Sequence, residues 1–437
     1  MSYIYRFSIC LLTMAATMGA QQEPPKSWVD ADTGHRVVRL TDEPGSASLY
    51  FNQNGYTADG RKMVFTTANG ISVLDLETHA ARPVAQGQVR IIVTGRKTQN
   101  VYYTRGGAVY STDVDTLATR RIAALPPRGS VSSVNADETL LAGTYTEVES
   151  GAEYRARATG AEYRAQATGA EYRAQATGAE YRAQATGPAQ AQTLDQPLNK
   201  GQMMERRLAA QIPLTLFTIN TATGELKPIL HSTDWINHLE FSPTDPGLLM
   251  VCHEGPWHKV DRIWTMRADG SELTKVHTRT MEMEIFGHEF WNYDGSTIWY
   301  DLQTPRGEDF WLAGYNVKTK QRIQYHLQRN EWSIHFNVTR DGSLFCGDGG
   351  DPGQVARAAD GEWLYLFRPE IRKNEGVQDA GLIRTGVLRA EKLVNMSKHN
   401  YRLEPNVSFT PDQKWVVFRS NMFGPTYTFA VEVAKAQ

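Results

Sequence analysis

The sequence predicts an all-β chain folded as a seven-bladed β-propeller. Three observations carry that expectation. A phrase made of a polar turn, usually containing Asp-Gly, and then an apolar strand recurs along the chain. A second phrase, an apolar alternation that runs into Asp or Asn and a polar turn, usually follows it. The pair repeats at roughly 40–50 residues, the period of a propeller blade. One four-stranded blade cannot cover both of its faces, so neighbouring copies must supply the cover.

The first phrase is clearest at residues 56–65 and returns at 241–246, 291–299, 338–345 and 409–418, with a weaker copy at 134–141. The second stands at 71–78, 109–113, 216–224, 263–270 and 314–319. These place blades near 47–85, 88–122, 131–229, 236–277, 286–327, 332–393 and 405–435. A β-branched strand at 36–41 is expected to complete the last blade and close the ring. One segment breaks the pattern. Residues 151–186 are four copies of a nonapeptide whose period keeps no apolar face aligned on a helix. The insertion 151–187 reads as an expansion in a loop of the third blade, with a short helix expected at 203–208 on the way back.

At 437 residues the chain has room for two or three ordinary domains or one large repeat fold, and 41% hydrophobic residues support a sizeable core. A net charge of −2 with no basic block gives nucleic-acid binding no electrostatic support. The 10 Trp, 19 Tyr and 15 Phe suit either a packed β core or the apolar faces of sugar rings. Residues 1–20 read as a secretory signal: Arg6 supplies the positive charge, 7–18 the apolar run, and Gly19-Ala20 the small residues at the cut. The expected organisation is signal 1–20, a polar leader 21–32 and a propeller 33–437, secreted or periplasmic, with no membrane span after cleavage. Cys252 and Cys346 then remain, either paired or as buried thiols.

Chemistry is expected around two His-Glu phrases, Cys252-His253-Glu254-Gly255-Pro256 and Gly287-His288-Glu289-Phe290-Trp291, each following a strand-like run. His238, His253, His258, His288, His335 and His399 are the histidines to weigh. Several fall at comparable points of successive blades, so their imidazoles can converge on the axis. Convergence with carboxylate or amide oxygens would suit Mn²⁺ or Zn²⁺. The run Gly347-Asp348-Gly349-Gly350-Asp351-Pro352-Gly353 has a calcium loop's composition without its spacing and reads as a tight turn.

Together with Tyr50-Phe51-Asn52-Gln53, His238, the segment around His335 and Ser408-Phe409-Thr410-Pro411-Asp412, these phrases resemble the oligogalacturonate lyase family. The resemblance runs from about residue 33 to 433 without the nonapeptide block. It implies β-elimination on oligogalacturonides or related oligouronides, with His253 as base and a divalent metal, typically Mn²⁺, held in part by His288. Gln53, His238 and His335 would contact substrate. The chain departs from the family where the other ligands and a catalytic Arg belong: Tyr401, Glu404, Asn406 and Thr215 stand there. Glu404, Asn406 and His399 would then complete the metal site, and Arg206 or Arg207 would replace the Arg. The departures also leave open a non-catalytic propeller that binds oligosaccharide or a protein partner.

Overall fold

The computed structural model describes residues 24–147, 199–352, 361–379 and 381–436. The expected signal 1–20, the nonapeptide insertion 151–187 and Gly353 lie outside the described residues.

Two kinds of turn explain the two recurring phrases. In the first, a threonine hydroxyl donates to the aspartate two residues on: Thr57 to Asp59 (2.6 Å), Thr339 to Asp341 (2.7 Å) and Thr410 to Asp412 (2.6 Å). The residue after the aspartate is left-handed, as at Gly60, Gly295 and Gly342. Glu138 and Gln413 adopt the same conformation at φ 62° where the sequence lacks glycine. Their side chains offset that strain. Glu138 Oε1 accepts the Lys97 and Thr98 N–H groups at 2.7 Å each, and Gln413 Oε1 accepts that of Arg340 at 2.9 Å. In the second kind, one side-chain oxygen accepts the N–H groups two and three residues on. Asp75, Asp113, Asn220 and Asn316 all do this.

These turns join short antiparallel strands. β1 (Ser27–Val29) pairs with β2 (His35–Arg39), so the expected leader already holds a strand. A three-stranded sheet follows: β3 (Lys62–Thr67), β4 (Gly70–Asp75) and β5 (Ala81–Gln86). Its inner edge is extended by bridges from Ala47 to Thr66 and from Tyr56 to Met63. Next come β6 (Arg90–Thr94), β7 (Asn100–Arg105), β8 (Ala108–Asp113) and β9 (Thr119–Ala124). Then β10 (Ser130–Val134), β11 (Leu140–Thr146), helix α1 (Lys200–Ala210), β12 (Leu214–Asn220) and β13 (Leu226–Ser232). β14 (Trp235–Phe241), β15 (Leu248–Glu254), β16 (Ile263–Arg267) and β17 (Thr274–Lys275) form another sheet.

The largest sheet has eight strands. One half is β18 (Ile285–Trp291), β19 (Thr297–Gln303), β20 (Phe310–Asn316) and β21 (Arg322–Leu327). The other is β22 (Phe336–Val338), β23 (Phe345–Gly347), β24 (Trp363–Ile371) and β25 (Arg384–Asn395). A parallel pairing of β21 with β25 joins the halves, because β24 and β25 are long enough to reach the neighbour. The last sheet is β26 (Ser408–Phe409), β27 (Trp415–Ser420) and β28 (Tyr427–Lys435). β2 pairs with β28, so the N-terminal strand joins the C-terminal sheet, as expected.

Apolar faces bury between neighbouring sheets. Ile92 and Tyr102 pack on Leu141 and Phe217; Ala142 and Leu216 pack on Leu249 and Val251. Met63 and Phe65 of the first sheet meet Val417 and Ala430 of the last, which closes the series on itself. The first strands of successive sheets also touch, β6 with β10, β10 with β14, and β22 with β26. The result is an all-β, propeller-like body. Its one described α-helix is α1, which begins at a capping box between Asn199 and Gln202. Cys252 and Cys346 are buried and free.

Candidate active site

The strands nearest the axis are irregular where the histidines sit. β14 breaks register with β15 between Asn237 and Glu240, and β18 breaks register with β19 between Gly287 and Phe290. Inside these bulges His238 has φ 45° and His288 φ 47°. A bulge turns the strand locally and re-aims a side chain. His tolerates the left-handed region better than most residues. The same device therefore points one imidazole from each of two neighbouring sheets toward the axis. The third histidine comes from the segment before β22. His335 is fully buried, with Nδ1 2.7 Å from Asp348 Oδ2 and Nε2 3.0 Å from the Tyr50 hydroxyl. Asp348 is held in turn by the N–H groups of Ile334 and His335 at 3.1 and 2.8 Å.

Two adjoining cavities meet at these residues. A narrow one of about 30 Å³ is lined by His238, His288, Glu254, Arg262, Glu289 and Glu404, with Tyr50 and Lys200 at its edge. A wide one of about 520 Å³ shares Tyr50, Asn52, Lys200, His238 and Glu254 with it. The His288 and His335 rings lie 4.9 Å apart, and His335 Nε2 is 3.8 Å from Glu404 Oε2.

Electrostatics divides the carboxylates into distinct roles. Burial alone would raise the pKa of Glu254. Arg262, bonded at 2.5 Å and stacked 4.4 Å over Trp257, and His238 at 3.5 Å outweigh it and hold Glu254 well below the usual range. Burial pushes Glu240 well above the usual range, with Arg96 opposing it and Glu289 adding to it. For His335, burial favours the neutral ring, but the charges of Asp348 and Glu404 prevail and raise its pKa.

The expected site residues separate. His238, His288, His335 and Glu404 come together, and Arg207 lines the wide cavity with its guanidinium 4.5 Å over Trp235. Arg206, on the same helix, lines neither cavity. His253 is also absent from both walls. Its ring stacks on Trp264 at 5.1 Å and its Nδ1 faces Asp234 at 3.6 Å, because strand alternation sends it opposite to Glu254. Burial lowers its pKa against the pull of Asp234 and Asp261.

His399 lies away from the cavities, with Nδ1 2.8 Å from Ser420 Oγ and Nε2 2.6 Å from the Leu403 carbonyl, so both ring nitrogens are engaged. Asn406 is buried, and its amide accepts from Phe51 N–H and donates to the Glu404 carbonyl. Gln53 lines the wide cavity, but its amide donates to the Ile92 carbonyl and accepts from Tyr50 N–H, pinning the Tyr50 loop. Thr215 bonds Glu147 and His231, and the Tyr401 hydroxyl donates to the Asp348 carbonyl. Among the described residues, no three His, Cys, Asp or Glu side chains form a finished metal site.

Sequence reasoning passed over Glu254, Arg262, Asp301, Tyr50 and Asp348 as working groups. The legible signal for two of them was the Glu beside His253 and the Asp in the glycine run.

A propeller-like body that aims bulged histidines at an axial pocket belongs to the class of β-rich proteins with a built polar site. The span 195–436 matches the family model described as oligogalacturonate lyase, over half of the chain, and the chain belongs to the oligogalacturonate lyase family. It is 28% identical over 225 residues to an oligogalacturonide lyase of Pectobacterium atrosepticum and, over the same length, to an oligogalacturonate lyase of Dickeya dadantii. Each match covers 50% of this chain and 55% of the relative, so the chain spans about half the length of the curated relatives it matches. Two solved structures share the fold. An oligogalacturonate lyase in complex with manganese superposes with TM-score 0.69 at 22% identity, covering 94% of this chain and 96% of that one. One from Vibrio parahaemolyticus gives 0.68 at 23% identity with the same coverage.

Proposed function

We propose that the protein is a lyase that cleaves oligogalacturonides or related oligouronides by β-elimination, with His238 as the base. The observation that carries this is the meeting of His238, His288 and Glu404 around one pocket, with buried His335 against His288 and Glu404, in a chain of this family. With Nε2 3.5 Å from Glu254, His238 has its Nδ1 edge left to take the C5 proton, and Glu254 stabilises the imidazolium that forms. The C5–H electrons become the C4=C5 bond and the C4–O4 bond breaks. Protonated His335, backed by Asp348, donates from Nε2 to the Tyr50 oxygen, which leaves the phenolic proton of Tyr50 for O4.

A divalent cation such as Mn²⁺, named in the manganese complex of the similar structure, would neutralise the C6 carboxylate and acidify C5–H. The residues fit a partly open site. His288 turns Nδ1 to the buried Asp301 at 3.3 Å, the backing that metal-binding imidazoles commonly have, and Glu404 offers a hard oxygen. His288 and Glu404 would hold the cation, whereas His399 and Asn406 are engaged elsewhere.

The antiparallel units, counted with β2 in the last and the eight-stranded sheet as two, support a seven-bladed reading. The signal-like residues 1–20 support export to the periplasm or beyond. Among the described residues no helix is long and apolar enough to cross a membrane.

Incubation with a panel of oligouronides and Mn²⁺, read by the ultraviolet absorbance of a 4,5-unsaturated uronate, tests the proposal. A folded protein that yields no such product on any of them sinks it. The rival, a non-catalytic propeller binding oligosaccharide or protein, draws support from the engagement of Asn406 by backbone and predicts that blank result.

A further inference from the structure

The axial strands lead from the histidine pocket to a second mouth at their other ends. β14 carries His238 on the narrow cavity and runs on to Pro243 and Thr244; β18 carries His288 and runs on to Asn292 and Tyr293. A third cavity, of about 230 Å³, lies at these far ends. Arg96 and Glu240 stand between it and the wide cavity and line both.

The rim of this mouth is held by bonds between neighbouring turns. Thr244 Oγ1 donates to the Asp294 carbonyl, Arg340 N–H to Gln413 Oε1, and Asn54 Nδ2 to the Thr94 carbonyl, each at 2.9 Å. Between the turns of Tyr293 and Arg340 the join is a cation on a ring. The Arg340 guanidinium lies 4.4 Å over the Tyr293 ring, and that of Arg96 lies 5.9 Å over the same ring. Two like charges are thus gathered on one aromatic side chain. Among the described residues, no carboxylate forms a salt bridge with either. Burial lowers the pKa of Arg96, with Glu240 opposing and Arg340 adding to the fall.

Glu240 is the one carboxylate on this wall among the described residues. Burial pushes it toward its neutral form, and its Oε2 has no hydrogen-bond partner. A neutral carboxyl does not cancel the arginines and has a proton to donate. The turn aspartates Asp59, Asp341 and Asp412 are engaged within their own turns and do not line the cavity.

The volume is below the roughly 300 Å³ at which pockets enclose drug-sized ligands, so the occupant is a small ion or acid. Guanidinium forks match the paired oxygens of carboxylate and phosphate, and two forks favour a dianion. We propose that the far mouth is a binding site for a small dianionic oxyanion, of the phosphate or dicarboxylate class, held between Arg96 and Arg340 with Glu240 donating to it. None of the groups given a part in the elimination lines this cavity, so the site stands apart from the lyase reading.

Calorimetry of the metal-free protein with inorganic phosphate, succinate and acetate tests it. Phosphate or succinate should bind with a Kd of about 1 mM or below, and acetate at least about tenfold more weakly. Phosphate alone marks a phosphoryl ligand and succinate alone a dicarboxylate; either supports the site. Arg96→Gln and Arg340→Gln should each weaken the better dianion about tenfold. His238→Ala, in the other pocket, and Arg372→Gln, at an exposed arginine beyond β24, should leave it unchanged. Arg340 is exposed, so Arg340→Gln decides the point where Arg96→Gln lowers the melting midpoint. No saturable dianion binding, equal affinity for acetate, unchanged affinity in Arg340→Gln, or an equal loss in His238→Ala or Arg372→Gln overturns the proposal.

Discussion

His288 Nδ1 lies 3.3 Å from Oδ1 of Asp301, a carboxylate only 1% exposed whose oxygens have no hydrogen-bond partner among the described residues. A carboxylate so placed orients that imidazole for a cation at its other ring nitrogen. Asp301→Asn should weaken Mn²⁺ binding by about 10–100-fold, read by titrating metal-free protein. Unchanged affinity would show that His288 does not hold the cation.

The proposed base is His238, which lines both the narrow and the wide cavity, whereas His253 lines neither. His238→Ala should lower kcat/KM by on the order of 10²–10⁴, and His253→Ala should leave it nearly intact, because His253 packs on Trp264 outside the cavities. Steady-state assays on both variants decide the matter, and the reverse ranking would restore His253.

Buried His399 gives the fold an acid limit. Burial lowers its pKa from 6.5 to about 4, with the Leu403 carbonyl opposing. The unfolded chain therefore takes up the proton first as pH falls. The stabilisation is whole above pH 6.5 and is lost between there and about pH 4. It amounts to on the order of 3 kcal/mol. Denaturant melts across this window should show the loss, and His399→Gln should flatten it. A variant with the parent's pH profile would exclude His399 as the cause.

Arg262 and Glu254 form a buried ion pair under Trp257. Breaking one partner leaves a buried charge without compensation, so Arg262→Ala should destabilise the protein by about 3–5 kcal/mol. Chemical denaturation measures this. A loss below about 1 kcal/mol would mean the pair behaves like an exposed one.

Much of the scaffold was legible because turn chemistry is local. The Asp59, Asp341 and Asp412 turns and the Asp75, Asp113, Asn220 and Asn316 turns each form within a few residues, so their spacing announces the sheets. The weaker copies at Glu138 and Gln413 adopt the same left-handed turn. The site was legible only in part. His288 and Glu404, both expected at a metal site, line one pocket, yet which histidine of the fourth sheet faces it depends on a bulge at Asn237–Glu240. In an unbroken strand His253 has as good a claim as His238.

The sequence by itself determined the all-β character, the repeat of turn and strand, the joining of the N-terminal strand to the last sheet, and the presence of histidines near strand ends. Those follow from contacts between residues close in the chain or from a period that any copy displays. Only the tertiary structure decided which side chains share a cavity. His335 meets Tyr50 across 285 residues, and Asn406 is claimed by Phe51 across 355. Register, bulges and competition for buried hydrogen bonds set those pairings, and none of them leaves a local trace.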